Sequence, residues 1–392
     1  GTGAIGLGLV SVAAKINVDN CSFEGCQKTG ISASTSSTTD GFLNVSNCLF
    51  SCSNWGSYSG VYINNYATVT RVTGCKFNVF SGLGTPTQYA VRVLSASNVA
   101  TVYVENNIFN FYITNGNASP VFISSSSINS FLGVTGNTFT TAGNSIGGTG
   151  TFNGVTVEGA TCVVQRNTFR DIAASGTGTI ACVYNNSNPS DVKLAVRDNT
   201  CYQLSTVNGT LRIVDVLYGN TDDSVVIENN TVHDVTTASS APFGLFNITH
   251  TVSADATHKL VFSGNTITDC QLGTGGFCYA IRCFYGGATI TNNTFSLLTA
   301  PGSTSLAAIG AGQCASLIVA DNVVKGLSST NNVYGISIFN GSPISVITSN
   351  KVSALTSTAA VAAGMSVGGV FTGECCSNDF SLLTGSTLTH SI

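Results

Sequence analysis

A short phrase recurs along the chain and constrains the fold more than any other feature. It reads as an apolar pair, two polar residues, Asn or Cys, any residue, and then Phe or another apolar residue. With the Asn or Cys taken as an anchor, the phrase falls at Cys21, Cys48, Cys75, Asn107, Asn137, Asn167, Asn199, Asn230, Asn265, Asn293, Asn322, Asn350 and Asn378, at spacings of 27 to 35 residues. A near-constant period of this length is the signature of a solenoid, whose repeats bury their apolar faces only against their neighbours.

The slots around the anchor carry the same chemistry in every repeat. Three residues before it stands Val, Ile or Phe, from Val18 to Ile347, with Cys375 in the last repeat. Two residues after it stands Phe23, Phe50, Phe77, Phe109, Phe139, Phe169, Phe295 or Phe380, and elsewhere Cys201, Val232, Ile267, Val324 or Val352. The slot five before the anchor is mostly apolar and the slots between are polar, which is the period-two alternation of a half-buried strand. One strand therefore ends two residues before the anchor, the chain bends, and a second strand starts at the Phe slot. A third apolar patch follows 13 to 20 residues after the anchor, as in Val61-Tyr62-Ile63, Val121-Phe122-Ile123 and Ile336-Ser337-Ile338. These patches are short, β-branched and bounded by Gly, Ser and Asn. No segment has a capped 3.6-residue period. The expected fold is all-β: a right-handed parallel β-helix of about 13 coils of about 30 residues, with three short strands per coil.

An Asn at the bend of stacked coils passes amide hydrogen bonds along the stack while satisfying buried backbone groups. The anchors should thus form an Asn ladder at one turn. In the first three repeats Cys21, Cys48 and Cys75 take that place, either as small buried thiols or with two neighbours paired as a disulfide. Cys26 and Cys52 are a second candidate pair. Leucine-rich repeats share part of the phrase, but they need a further apolar residue eight before the Asn, where this chain has Ala13, Asp40, Asn129, Gly159 and Asp191 among others.

Composition narrows the function. At 392 residues the chain would ordinarily divide into two or three domains. Gly, Ser, Thr and Asn dominate throughout, however, and no linker or charge block interrupts them, so residues 1–392 read as a single domain. It reads as a section of a longer protein: it does not begin with Met, it opens on an apolar run in strand pattern and it closes on Leu382-Leu383 with little left to cap a coil. Further segments of the same protein, or end-to-end self-association, are the expected partners. With charged residues at 8%, a net charge of −4 and 14 scattered Lys and Arg, the basic footprint of a nucleic-acid binder is missing. No apolar run is long enough for a transmembrane helix. Cysteines are too dilute for a disulfide scaffold and lack paired C-x-x-C spacing, so no structural metal is expected. Sequons include Asn117, Asn185, Asn208, Asn247 and Asn340, which are candidate glycosylation sites in a secreted chain.

Glu228-Asn229-Asn230-Thr231-Val232, Gly264-Asn265-Thr266-Ile267 and Thr291-Asn292-Asn293-Thr294-Phe295 resemble the parallel β-helix repeats of the pectin-lyase-like superfamily. The resemblance covers roughly residues 5 to 383. It implies a fold and leaves the activity open, because that superfamily includes polysaccharide lyases and hydrolases, adhesins and giant surface proteins of microbes and protists. The Cys- and Asn-rich, charge-poor character is most similar to the surface proteins.

Enzymes of that superfamily place carboxylates with Arg, Lys or calcium on one strand face. Asn220-Thr221-Asp222-Asp223 resembles the first motif of polygalacturonases, but the further motifs are missing and none of His233, His250, His258 and His390 has the matching context. The slot four after the anchor holds Asp171, Gln203, Asp234 and Asp269 in successive coils. Asp234 and Asp269 would lie about 5 Å apart, close enough to share a proton or a calcium ion, and paired carboxylates serve retaining glycosidases at about that separation. The competing reading is that Asp is favoured there by the turn itself. His250, Asp255 and His258 could hold a metal, but no further clear ligand accompanies them. Arg92, Arg212 and Arg282 fall on non-adjacent coils and read as decoration of a solvated face. The leading expectation is a non-catalytic extracellular or cell-surface rod about 60 Å long, from coils spaced about 4.8 Å apart, acting as a spacer, filament component or adhesive surface with glycans as candidate contacts. The alternative is a polysaccharide lyase or glycoside hydrolase. An ice-binding solenoid would need a regular Thr-x-Thr ladder that is not present.

Overall fold

The computed structural model describes residues 5–386 except 11–14, 27, 35–40, 55–58, 65–67, 82–86, 96–99, 114–115, 126–128, 142, 160, 187–192, 219–222, 239–242, 251–258, 285, 341 and 370. The chain divides into two compact units, Gly1–Thr200 and Cys201–Ile392. Each is a parallel β-solenoid, and the described residues contain strands and no helix.

Every coil contributes an approach strand leading into the anchor, an exit strand leaving it and a return strand. In the first unit the return strands run from Ile5–Val10 to Thr179–Asn186 and the approach strands from Lys15–Asp19 to Lys193–Arg197, seven of each. The second unit holds six of each, from Thr210–Tyr218 to Ala362–Val367 and from Ser224–Glu228 to Phe371–Cys376. Equivalent strands of successive coils pair in parallel, as in Val104↔Val134, Phe109↔Phe139 and Val91↔Val121. Exit strands begin one residue earlier than the sequence suggests, directly after the anchor, as in Ile108–Ile113. The reason is that the backbone N–H there already donates to the preceding anchor's carbonyl, at 2.9 Å for Ile108 to Cys75.

The bend follows one rule. The residue before each anchor has a left-handed backbone in all thirteen repeats, from Asn20 (φ 52°), Asn106 (56°) and Gly136 (67°) to Asn292 (57°) and Ser377 (54°). Gly, Asn and Asp tolerate that conformation, which accounts for their abundance in this slot. The turn aims the anchor inward. Asn137 Nδ2 donates to the carbonyl of Val104 in the preceding coil at 2.8 Å, and its Oδ1 accepts from Asn107 N at 2.9 Å and Asn107 Nδ2 at 3.0 Å. The same set recurs from Asn265 through Asn293 and Asn322 to Asn350. In the early coils sulfur replaces the amide: Cys48 N donates to Cys75 Sγ at 3.4 Å, and Cys75 Sγ lies 3.7 Å from Val45 O. Cys21, Cys48 and Cys75 are free thiols, the first exposed and the other two buried. The Cys52 side chain lies outside the described residues.

Inside the first unit, Phe23, Phe50, Phe77, Phe109, Phe139 and Phe169 stack with centroids 4.5 to 5.1 Å apart. Small residues on the return strands make room for the rings. A Cβ at Gly60 would fall 2.7 Å from Phe77 Cε1 and 2.7 Å from Ala90 O.

Candidate functional site

The carboxylates proposed from sequence occupy a second left-handed slot. Asp171, Gln203, Asp234 and Asp269 have φ between 51° and 54°, and the same slot holds Leu297 (53°), Gly326 (72°), Ala354 (54°) and Leu382 (52°) in later coils. The strand register steps over it: His233 pairs with Thr268 and Val235 with Cys270, which leaves Asp234 and Asp269 as neighbouring unpaired bulge residues. A slot that accepts Leu and Ala as well as Asp is defined by its backbone. Asp234 bonds His233 Nδ1 at 2.8 Å, Asp269 faces Thr268 Oγ1 at 3.3 Å, and Asp171, in the other unit, takes Arg170 Nη1 at 2.7 Å. Among the described residues no three His, Cys, Asp or Glu side chains come together as a metal site. Asp255, His258, His390, residues 219–222 and the His250 side chain lie outside the described residues.

Concave chemistry lies on the outer face of the return strands instead. In the second unit a cavity of about 300 Å³ is lined by Phe277, Tyr279, Arg282, Phe284, Ser337, Phe339 and Asn340. Its origin is local. The strand Ser305–Gly312 places Gly310 between Arg282 and Ser337, and Gly312 between Phe284 and Phe339. Two adjacent side chains are therefore missing from the outer surface. Neighbouring rings lean into the gap, so that a Cβ at Gly310 would strike Tyr279 and one at Gly312 would strike Phe339.

The arginines correct the expectation of a solvated face. Arg282 stacks over Phe284 at 4.4 Å and donates to Asn247 Oδ1 at 3.2 Å. Asn247 Nδ2 donates to Asp215 at 2.9 Å, and Asp215 pairs with Arg212. Arg212 and Asp215 neutralise each other, which leaves the Arg282 charge facing a neutral amide. Burial lowers the Arg282 pKa and pushes Tyr279 up to about 12, against the pull of the Arg282 charge on the phenol. A half-buried cation among aromatic rings favours an anionic or strongly polar ligand with an apolar face.

In the first unit Arg92 lies 4.6 Å from the Tyr89 ring centroid, 5.5 Å from Tyr62 and 6.0 Å from Phe122. It borders a cavity of about 260 Å³ with Ile5, Lys28, Thr29, Ser32, Ser59 and Tyr62.

Two sequon positions are also corrected. Asn185 is buried and its Nδ2 donates to Val157 O at 2.8 Å, while Asn247 is buried in the polar row beside Arg282, so neither offers its amide nitrogen for glycosylation in the folded chain. Asn117, Asn208 and Asn340 are exposed.

The arginines are legible in the sequence and the clefts are not. The available signal was the run Ala307-Ala308-Ile309-Gly310-Ala311-Gly312, where small residues fill outward as well as inward positions of a strand. The fold and these faces define the class, a parallel β-solenoid with an Asn ladder. No family model matches the chain, and no curated protein or solved structure matches it.

Proposed function

We propose that this protein is a non-catalytic extracellular or cell-surface β-solenoid of the pectin-lyase-like kind, and that the outer face of its return strands is an adhesive surface for glycans. The aromatic cleft around Gly310 and Gly312 carries the reading. Aromatic side chains offer flat apolar surface to the C–H faces of a sugar ring, and Arg282, Ser337 and Asn340 supply polar contacts at its rim. The carboxylates that would support hydrolysis sit in a slot shared with Leu297 and Ala354, which favours binding over chemistry.

The test is retention on a glycan array by the intact chain and by Phe284→Ala and Phe339→Ala. Binding to a defined set of glycans, lost in both variants while their circular dichroism is unchanged, is the expected result. Release of shortened saccharide from a polysaccharide, abolished by Asp234→Asn or Asp269→Asn, would establish the lyase or hydrolase alternative instead.

A further inference from the structure

The cavity beside Arg92 is chemically different from the aromatic cleft. Lys28 and Arg92 are both cations, Thr29, Ser32, Ser59 and Tyr62 bring hydroxyls, and among the described residues no carboxylate lines it. The strand register builds this arrangement. Ser32, Tyr62 and Arg92 succeed one another on one outward column, and Thr29, Ser59 and Tyr89 on another, so cations and hydroxyls from three coils converge on one patch. No ion pair joins Lys28 or Arg92 to a carboxylate among the described residues, whereas Arg71, Arg170 and Arg212 each have one.

Arg92 is also held in place. Rings from its own strand and from both neighbouring strands surround its guanidinium, and its Nε is buried without a hydrogen-bond partner. A cation kept partly from water with a donor unfilled lacks the compensation that buried charge requires. An oxyanion in the cavity supplies a counter-charge to a guanidinium whose orientation is already fixed.

We propose that this cavity binds a sulfate ester carried on a saccharide. The cavity has room for one tetrahedral group and part of a sugar ring, its two positive charges attract an anion, and its hydroxyls can donate to the remaining oxygens. The proposal rests on the glycan-adhesive reading for the source of the oxyanion, but it concerns a separate site in the other unit.

The experiment is titration of the intact chain by calorimetry with a heparin-derived tetrasaccharide and with its desulfated counterpart, in low and moderate salt. The expected result is binding of the sulfated form alone, weakened as salt rises. Lys28→Gln should weaken it about fivefold and Arg92→Gln about tenfold or more. Because Arg92 also packs against aromatic rings, Lys28→Gln serves as the variant at an exposed position that leaves the fold intact. Equal binding of both saccharides, no binding of either, or affinity unchanged in both variants would overturn the proposal. So would displacement of the bound saccharide by inorganic phosphate but not by inorganic sulfate. Phe284→Ala and Phe339→Ala should leave this titration unchanged, so failure here is distinguishable from failure of the aromatic cleft.

Discussion

At the residue scale, the anchor acts through both ends of its amide. Removing the side chain of Asn293 strands the N–H of Asn265, which donates to Asn293 Oδ1 at 2.9 Å, and the carbonyl of Phe262, which accepts from Asn293 Nδ2 at 3.0 Å. Leaving buried polar groups unpaired costs roughly 1–3 kcal/mol each, so Asn293→Ala should lower stability in chemical denaturation by about 3 kcal/mol. Asn107→Cys should cost less than Asn107→Ala, since Cys75 fills the same place in the preceding coil; equal losses would show that the thiols play no part in the ladder. The buried thiols also give a pH signature. Burial raises the Cys75, Cys270 and Cys278 pKa to about 12, from an ordinary value of 9.0. Above pH 9 the unfolded chain loses these protons while the folded chain keeps them, so their stabilising contribution is complete below pH 9 and declines as pH rises toward 12. Denaturation midpoints should fall over that interval, and replacing the three cysteines by Ala should flatten the decline.

At the element scale, much was legible in the sequence and the remainder had a physical reason to be hidden. The anchor, the inward slots three before and two after it, and the three strands per coil follow from side-chain chemistry, because burial selects side chains. The two left-handed slots were harder to read. They select for backbone freedom, which Gly, Asn, Asp, Ser, Gln, Arg, Ala and even Leu satisfy at differing cost, so the slot holding Asp234 and Asp269 looked like a functional pair. Leu297 tests this account. It is exposed, with φ 53°, and Leu297→Asn should stabilise the protein by about 0.5–1 kcal/mol by relieving an unfavourable conformation. A loss of stability there would contradict the bulge interpretation. Gly60 tests the interior, where a methyl group meets Phe77 and the Ala90 carbonyl; Gly60→Ala should cost about 1–3 kcal/mol by overpacking.

At the scale of the whole molecule, each unit is stabilised coil by coil, since every strand pairs with its counterparts in adjacent coils. Damage should therefore remain local. In Asn293→Ala, hydrogen exchange should accelerate across residues 262–322 and remain at its original rate across residues 104–167. Uniform acceleration over both segments would mean that the units open as one. The candidate clefts were illegible for a related reason: a surface hollow arises where small residues in one coil meet large ones in its neighbours, and that juxtaposition depends on register between segments about one repeat apart. Periodicity alone reveals which residues share a column, but it does not reveal how rings lean across a missing side chain.

The amide ladder also has a direction. Within each unit, Asn137 completes the hydrogen bonds of Asn107, Asn167 those of Asn137 and Asn293 those of Asn265, so every rung is finished by the rung that follows it in the chain. A ribosome delivers the coils in that same order. Each newly emerging coil can dock on an edge already in place and close the vacancies left by its predecessor, so a growing unit carries a single incomplete rung however many of its coils have been made.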